Sequence, residues 1–265
     1  MTSNNKPINI FDFDGTLTTE TWPKFWVWVE KFGYDGTHRN DELQSALSEY
    51  KKTHSENPLE TFFGFFNDLL QDHNETLTLN ELMLGAKYIN YNTGLYTFLE
   101  NSSAHNYIVS GGIADFLSNL QIAKYFSGIY GTSLIYNSDN LITGIGKIMT
   151  DDDKINSIQK ILLDNSIQTC QNVFYIGDGY SDKDAMTFVH NNGGIAIFVY
   201  HPDTNDELSD SNKEVYHELT EAGIIDYCVP ADYTPESELY NLLQRRSVAL
   251  PQTPKTPSNH NSFYR

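Results

Sequence analysis

Short apolar runs punctuate this chain at wide intervals: Ile8–Phe13, Tyr107–Val109, Val173–Ile176, Ile195–Val199 and Tyr227–Val229. Each is too brief for a helix, and the first stops at a Gly turn, as expected of a strand covered on both faces. Between them, apolar residues recur with helical spacing at Ile113–Leu120, Ile155–Leu163, Ala185–His190, Glu214–Ala222 and Glu236–Leu243. Strands alternating with helices of this length predict an α/β fold, a doubly wound parallel sheet. Ligands of such sheets gather beyond the strand C-termini. The Gly-, Tyr- and Asn-rich segment Gly128–Lys147 predicts a hairpin-like excursion.

The stretch 19–97 breaks the alternation. It reads as helical throughout, with Trp22, Phe25, Trp26, Val29 and Phe32 on one helical face, and Phe62, Phe66 and Leu69 repeating the pattern. The expectation is an inserted, mainly helical cap domain over 19–97 that splits a core of 1–18 plus 98–246. The segment 247–265 carries three prolines among Ser, Asn and Thr and reads as a disordered tail.

With 265 residues, 39% of them hydrophobic, the chain can bury a large core. A formal charge of −18 argues against nucleic acid and anionic membranes as partners, since both demand clustered Lys and Arg. It leaves room for a small phosphorylated metabolite held by a local cation. Cys170 and Cys228 lack metal-ligand spacing and read as reduced, buried thiols. The polar N-terminus has no apolar signal segment, and no apolar run approaches a membrane span. The expectation is a soluble, cytoplasmic protein; oligomeric state is not legible.

Candidate chemistry sits at the strand ends. Asp12-Phe13-Asp14-Gly15-Thr16-Leu17-Thr18 ends the first run. Side chains two apart on a strand point the same way, so the carboxylates of Asp12 and Asp14 leave together where Gly15 lets the chain turn. Paired carboxylates repel unless a cation or a shared proton relieves them, and Mg2+ prefers oxygen ligands. Alone, the segment could equally be a polar turn capping a helix. Its company changes the balance. Ser110-Gly111-Gly112 follows the second run and offers a hydroxyl and freed N–H groups as a phosphate cradle. Lys154, early in a helix, could supply positive charge, with Lys147 as its competitor. Gly177-Asp178-Gly179-Tyr180-Ser181-Asp182 follows a further run, where Asp178 would complete an oxygen shell and Asp182 would orient neighbours.

In this order, these motifs resemble the haloacid dehalogenase (HAD) superfamily, in its phosphoserine-phosphatase-like branch. The matches are DFDGTLT at 12–18, SGG at 110–112, Lys154 and GDGYSD at 177–182. The 24-residue step from Lys154 to Asp178 resembles the family spacing and favours Lys154 over Lys147. The resemblance implies a Rossmann-like core with a helical C1 cap and Mg2+ as cofactor. Asp12 is then the nucleophile forming an aspartyl-phosphate, and Asp14 the general acid and base. Ser110, Gly111 and Lys154 bind the phosphoryl oxygens. Asp12, Asp178 and the main-chain carbonyl of Asp14 hold the metal. The second aspartate separates phosphatases and phosphomutases from dehalogenases.

The expected function is therefore a Mg2+-dependent phosphatase acting on a small phosphomonoester. Competing readings are a catalytically inert phosphate-binding fold mate and a phosphomutase; a signalling receiver domain would be about half as long and lack a cap. Ser181 stands where relatives often have Asn. From Glu20 to Thr97 the only arginine is Arg39, outside any apolar helical pattern. The resemblance implies a cap arginine and a cap glutamate for phosphoserine, and Glu20 lies one residue out of step. Phosphoserine is thus not the expected substrate. Glu20, Trp22 and Trp26 are candidate pocket residues. The tryptophans serve either as cap core or as an aromatic cage for a quaternary ammonium such as phosphocholine.

Overall fold

The computed structural model of the protein describes residues 6–19, 45, 48–52, 58–72, 77–202 and 210–244. In chain order the strands are β1 (Ile8–Phe11), β2 (His105–Ile113), β3 (Gly128–Thr132), β4 (Leu134–Tyr136), β5 (Ile142–Ile145), β6 (Val173–Gly177), β7 (Ile195–Tyr200) and β8 (Tyr227–Pro230). Six of them form one parallel sheet in the order β3-β2-β1-β6-β7-β8, while β4 and β5 pair as a separate antiparallel hairpin. Ile10 lies opposite both Tyr107 and Tyr175, which places β1 at the centre. The chain winds outward from β1 through β2 to β3, then returns to β6 and winds the other way. That reversal opens a crevice at the C-terminal ends of β1 and β6, the usual ligand position in such sheets.

Alternation of side chains gives the sheet two covered faces. Ile8, Ile10, Val109, Val173 and Tyr175 pack on one face, against Ile158 and Ile161 of α5 (Asp151–Asp164), Met186 of α6 (Lys183–Asn191) and Leu219 of α7 (Asp210–Glu221). Phe11, Ile108, Phe174, Ile176 and Ile197 pack on the other. They meet Phe98 of α3 (Leu95–Asn101), Phe116 of α4 (Ala114–Ser118) and Leu239 of α8 (Glu238–Gln244). Two layers of helices on a parallel sheet are the doubly wound architecture that the alternating pattern predicts. Phe11, Phe98 and Tyr233 make a buried aromatic trio, with ring centroids 6.2 Å apart for Phe11–Phe98 and 5.5 Å for Phe98–Tyr233.

All five apolar runs are strands, but the sheet has six. β3, Gly-Ile-Tyr-Gly-Thr, belongs to the segment expected to form only a hairpin. It pairs parallel with β2 at the sheet edge, where four of its five residues stay half-buried, so it carries no continuous apolar signal. The hairpin itself is β4–β5. The helix expected over Ile113–Leu120 is cut to Ala114–Ser118 and followed by a tight turn at Gln121–Tyr125. Ser110, Gly111 and Gly112 lie inside β2, whose register shifts between Val109 and Ile113.

Among the described residues between 45 and 101, the regular structure is helical: α1 (Pro58–Asp72), α2 (Leu79–Met83), a short turn at Leu84–Tyr88, then α3. Phe66 is buried and Leu69 half-buried in the core, while the side chain of Phe62 lies outside the described set. Thr18 and Tyr91 pair as an antiparallel bridge, and Leu77 pairs likewise with Ile142 of the hairpin. Glu20, the aromatic stripe Trp22–Phe32, Arg39 and the segment 247–265 lie outside the described residues. Cys170 is buried and Cys228 half-buried rather than buried, since it lies on β8 at the sheet edge; both are free thiols.

Candidate active site

β1 ends at Phe11, so Asp12 leaves the sheet at the crevice and is buried to 6% exposure. Gly15 then turns the chain at φ +74°, a conformation that glycine adopts without cost. A Cβ on Gly15 would sit 2.1 Å from Asp178 Oδ2, so only glycine lets the two segments approach this closely. Asp178 follows β6 on the neighbouring strand and accepts from the Thr16 hydroxyl at 3.4 Å.

Lys154 comes from the other side. Thr150 caps α5, its hydroxyl accepting the Asp153 N–H while the Asp153 carboxylate answers Thr150. Lys154 therefore falls in the first helical turn, on the same face as the buried Ile158 and Ile161. It is 1% exposed, with its ammonium 2.8 Å from Asp182 Oδ1 and 3.5 Å from Asp12 Oδ1. Lys147, its competitor, is exposed at the surface and pairs with Asp153. Ser110 is 1% exposed; its hydroxyl lies close enough to Asp12 to pull that carboxyl's pKa down, and its Oγ accepts the Gly112 N–H at 3.1 Å.

Asp182 is satisfied on both oxygens. Oδ1 takes Lys154 and the Tyr175 hydroxyl, the latter at 2.7 Å, and Oδ2 takes the N–H groups of Asp178 and Gly179 at 3.2 and 3.4 Å. Asp182 thus anchors Lys154 and the 178–179 turn. Asp12 differs: its Oδ1 accepts no hydrogen bond.

One oxygen each from Asp12, Asp178 and Asp182 lie within 4.8 Å of one another, with the Lys154 ammonium against Asp12 and Asp182. Burial pushes the Asp12 carboxyl up to about 7, against the pull of Lys154 and with added repulsion from Asp182 and Asp14. Asp178 is raised well above the usual carboxylate range, by burial first and then by Asp182 and Asp12. Burial alone would lower Lys154, but Asp12 and Asp182 outweigh it and hold the ammonium charged. Buried carboxylates in this excess over one ammonium suit a hard divalent cation with oxygen ligands. With Asp182 fully bonded, Asp12 and Asp178 are the side chains that fit such an ion.

The fold thus brings Asp12, Ser110, Lys154, Asp178 and Asp182 together, with Asp14 and Gly111 adjoining. Sequence reasoning missed four polar residues around them: Tyr175 on Asp182, His201 on the Gly15 carbonyl, and Asn92 and Tyr233 on the Thr16 carbonyl. Of these, Tyr175, His201 and Tyr233 lie on or just past a strand of the sheet, a position that could have marked them. Two surface cavities among the described residues lie elsewhere. One of about 540 Å³ is bordered by Glu236, Glu238, Asn241 and Gln244; another, of about 190 Å³, includes Tyr130, Lys147 and Lys160 in its wall. Neither is lined by the carboxylate cluster.

The fold and this site define a class. The chain belongs to the haloacid dehalogenase-like hydrolase family, whose model matches residues 10–187. Among solved structures, an apo phosphoserine phosphatase shares its fold at 16% identity, covering 90% of this chain and 98% of its own, with a TM-score of 0.58. A phospho-aspartyl intermediate analogue of phosphoserine phosphatase matches at 18% identity, covering 91% and 98%, with the same TM-score of 0.58. A HAD family hydrolase from Salmonella enterica subsp. enterica serovar Typhi matches at 19% identity and TM-score 0.55 over 77% of this chain. The chain spans 66% of that protein's length. No curated protein matches the sequence. Among the described residues, no helix is long and apolar enough to cross a membrane.

Proposed function

We propose that the protein is a Mg2+-dependent phosphatase that hydrolyses a small phosphomonoester through an aspartyl-phosphate on Asp12. The observation that carries this reading is the convergence of Asp12, Ser110, Lys154 and Asp178 at the β1–β6 crevice, four groups drawn from two strand ends, the interior of β2 and one helix start, spread over 167 positions. The family match and the fold shared with phosphoserine phosphatases support it.

An Asp12 carboxylate oxygen attacks phosphorus, and the bond from phosphorus to the ester oxygen breaks. Asp14 gives its proton to the departing alkoxide, which leaves as the alcohol. Asp14, now a carboxylate, takes a proton from water as that oxygen attacks phosphorus; the bond to Asp12 breaks, freeing phosphate and restoring both aspartates. Lys154, Ser110 and the Gly111 N–H hold the phosphoryl oxygens, and the Lys154 ammonium offsets their charge. Asp12, Asp178 and the Asp14 main-chain carbonyl would hold Mg2+, which would supply charge neutralisation at the transferring group. Asp182 keeps Lys154 aimed inward.

Residues 19–97 act as the cap that encloses the substrate, with Glu20, Trp22 and Trp26 as pocket candidates. The scarcity of arginine there argues against phosphoserine as substrate.

Phosphate release from para-nitrophenyl phosphate tests the reading. Turnover should require Mg2+, stop on adding EDTA and vanish in Asp12→Asn. Asp14→Asn should lower kcat by about 10²–10⁴-fold. Phosphate binding without release from any phosphoester would overturn it in favour of an inert fold mate.

A further inference from the structure

His201 is the first residue past β7, and its Nε2–H donates to the main-chain carbonyl of Gly15 at 2.9 Å. The next carbonyl along, that of Thr16, accepts two side chains: the Asn92 amide at 2.8 Å and the Tyr233 hydroxyl at 2.9 Å. On the other side of Asp14, the Phe13 carbonyl accepts the N–H groups of Leu17 and Thr18 and the Thr18 hydroxyl. The carbonyls flanking that of Asp14 are therefore all committed to protein donors.

Three features mark this as more than turn stability. One donor satisfies a buried carbonyl, yet Thr16 receives two from side chains that are themselves 4% and 0% exposed. The donors also come from three segments far apart in sequence: the stretch before α3, the end of β7 and the loop after β8. Finally, the turn they hold touches the metal-ligand candidates. Gly15 abuts the Asp178 carboxylate too closely for a Cβ, and the Thr16 hydroxyl bonds it. Because peptide groups are planar, pinning the planes on both sides of Asp14 leaves its carbonyl little freedom of direction.

We propose that His201, Asn92 and Tyr233 are positioning residues for the phosphatase reaction. Together they form a clasp that sets Asp14 and Asp178 relative to Asp12. This rests on the function proposed above. None of the three touches a reacting atom; each acts through the 15–16 turn. Tyr233 is also the tip of the aromatic trio with Phe11 and Phe98, so the clasp is rooted in the core.

Two readouts on Tyr233→Phe, His201→Ala and His201→Gln test it: the Mg2+ concentration that gives half the maximal thermal stabilisation, and kcat and KM for para-nitrophenyl phosphate. Tyr233→Phe keeps the packed ring and loses only the donor, while glutamine at 201 retains an N–H donor. In Tyr233→Phe and His201→Ala the half-stabilising Mg2+ concentration should rise by about 10-fold or more. Their kcat should fall with it and KM should stay near its original value, while His201→Gln recovers most of the loss.

Variants that melt lower but bind Mg2+ and turn over as the parent does would show a merely structural clasp and overturn the inference, leaving the phosphatase reading intact. A glutamine variant no better than the alanine one would also count against it. A parent protein with no Mg2+ response and no turnover would sink the phosphatase reading first, and this inference with it.

Discussion

A methyl group at position 15 would meet two obstacles. The backbone is left-handed there, at about 1–2 kcal/mol for a residue with a Cβ, and the Asp178 carboxylate occupies the space. Gly15→Ala should therefore fold with near-native circular dichroism yet release phosphate from para-nitrophenyl phosphate at background rate, and normal turnover would contradict the close approach. Asp182 is the opposite case, a charge whose loss is felt mainly as stability. Replacing it with Ala strands the buried Lys154 ammonium, so Asp182→Ala should cost about 3–5 kcal/mol in urea denaturation. Residues such as Asp12, Asp14, Ser110, Lys154 and Asp178 were legible in the chain because each follows an apolar run or opens a helix beside a glycine or a capping residue. His201, Asn92 and Tyr233 were not. Each spends its side chain on a distant backbone carbonyl, an interaction with no spacing rule, and Tyr175 hid in an apolar run as ordinary core.

Among the elements, α5 shows how local signals place a functional group. Its capping box fixes where the helix starts, and that start decides that Lys154 lies one turn in, facing the crevice. Thr150→Ala removes the cap and should lower stability by about 1 kcal/mol, measured by chemical denaturation. A change well below that would mean that Asp153 and the buried face hold the start alone. The five long-range strands were readable for the same reason: burial on both faces demands continuous apolar runs. Edge position spares β3 from that demand, so its Gly-Ile-Tyr-Gly-Thr gave no run, and the hairpin expectation absorbed it. The bulge in β2 was equally silent, since Ser-Gly-Gly reads as a loop whether or not the strand continues through it.

On the scale of the whole molecule, charge and pH are coupled through the crevice. Without a cation, burial keeps Asp12 protonated up to about pH 7 and Asp178 beyond the usual range. The folded state then binds more protons than the unfolded chain, whose aspartates release theirs near 3.8. This contribution to stability is full below that value and fades as pH rises through the folded one. Mg2+ competes with those protons, so its stabilising effect on melting, relative to EDTA, should be larger at about pH 8 than at about pH 6. A larger gain at the lower pH would contradict the buried-carboxylate picture. Thr18 and Tyr91 lie side by side as a bridge, with the Thr19 N–H bonded to the Asn90 carbonyl at 2.8 Å. The polypeptide thus comes back to the sheet beside its own point of departure, with Leu77 on Ile142 as a further attachment in between. Because exit and re-entry are stitched side by side, a change in the length of chain between residues 19 and 90 does not re-thread the sheet.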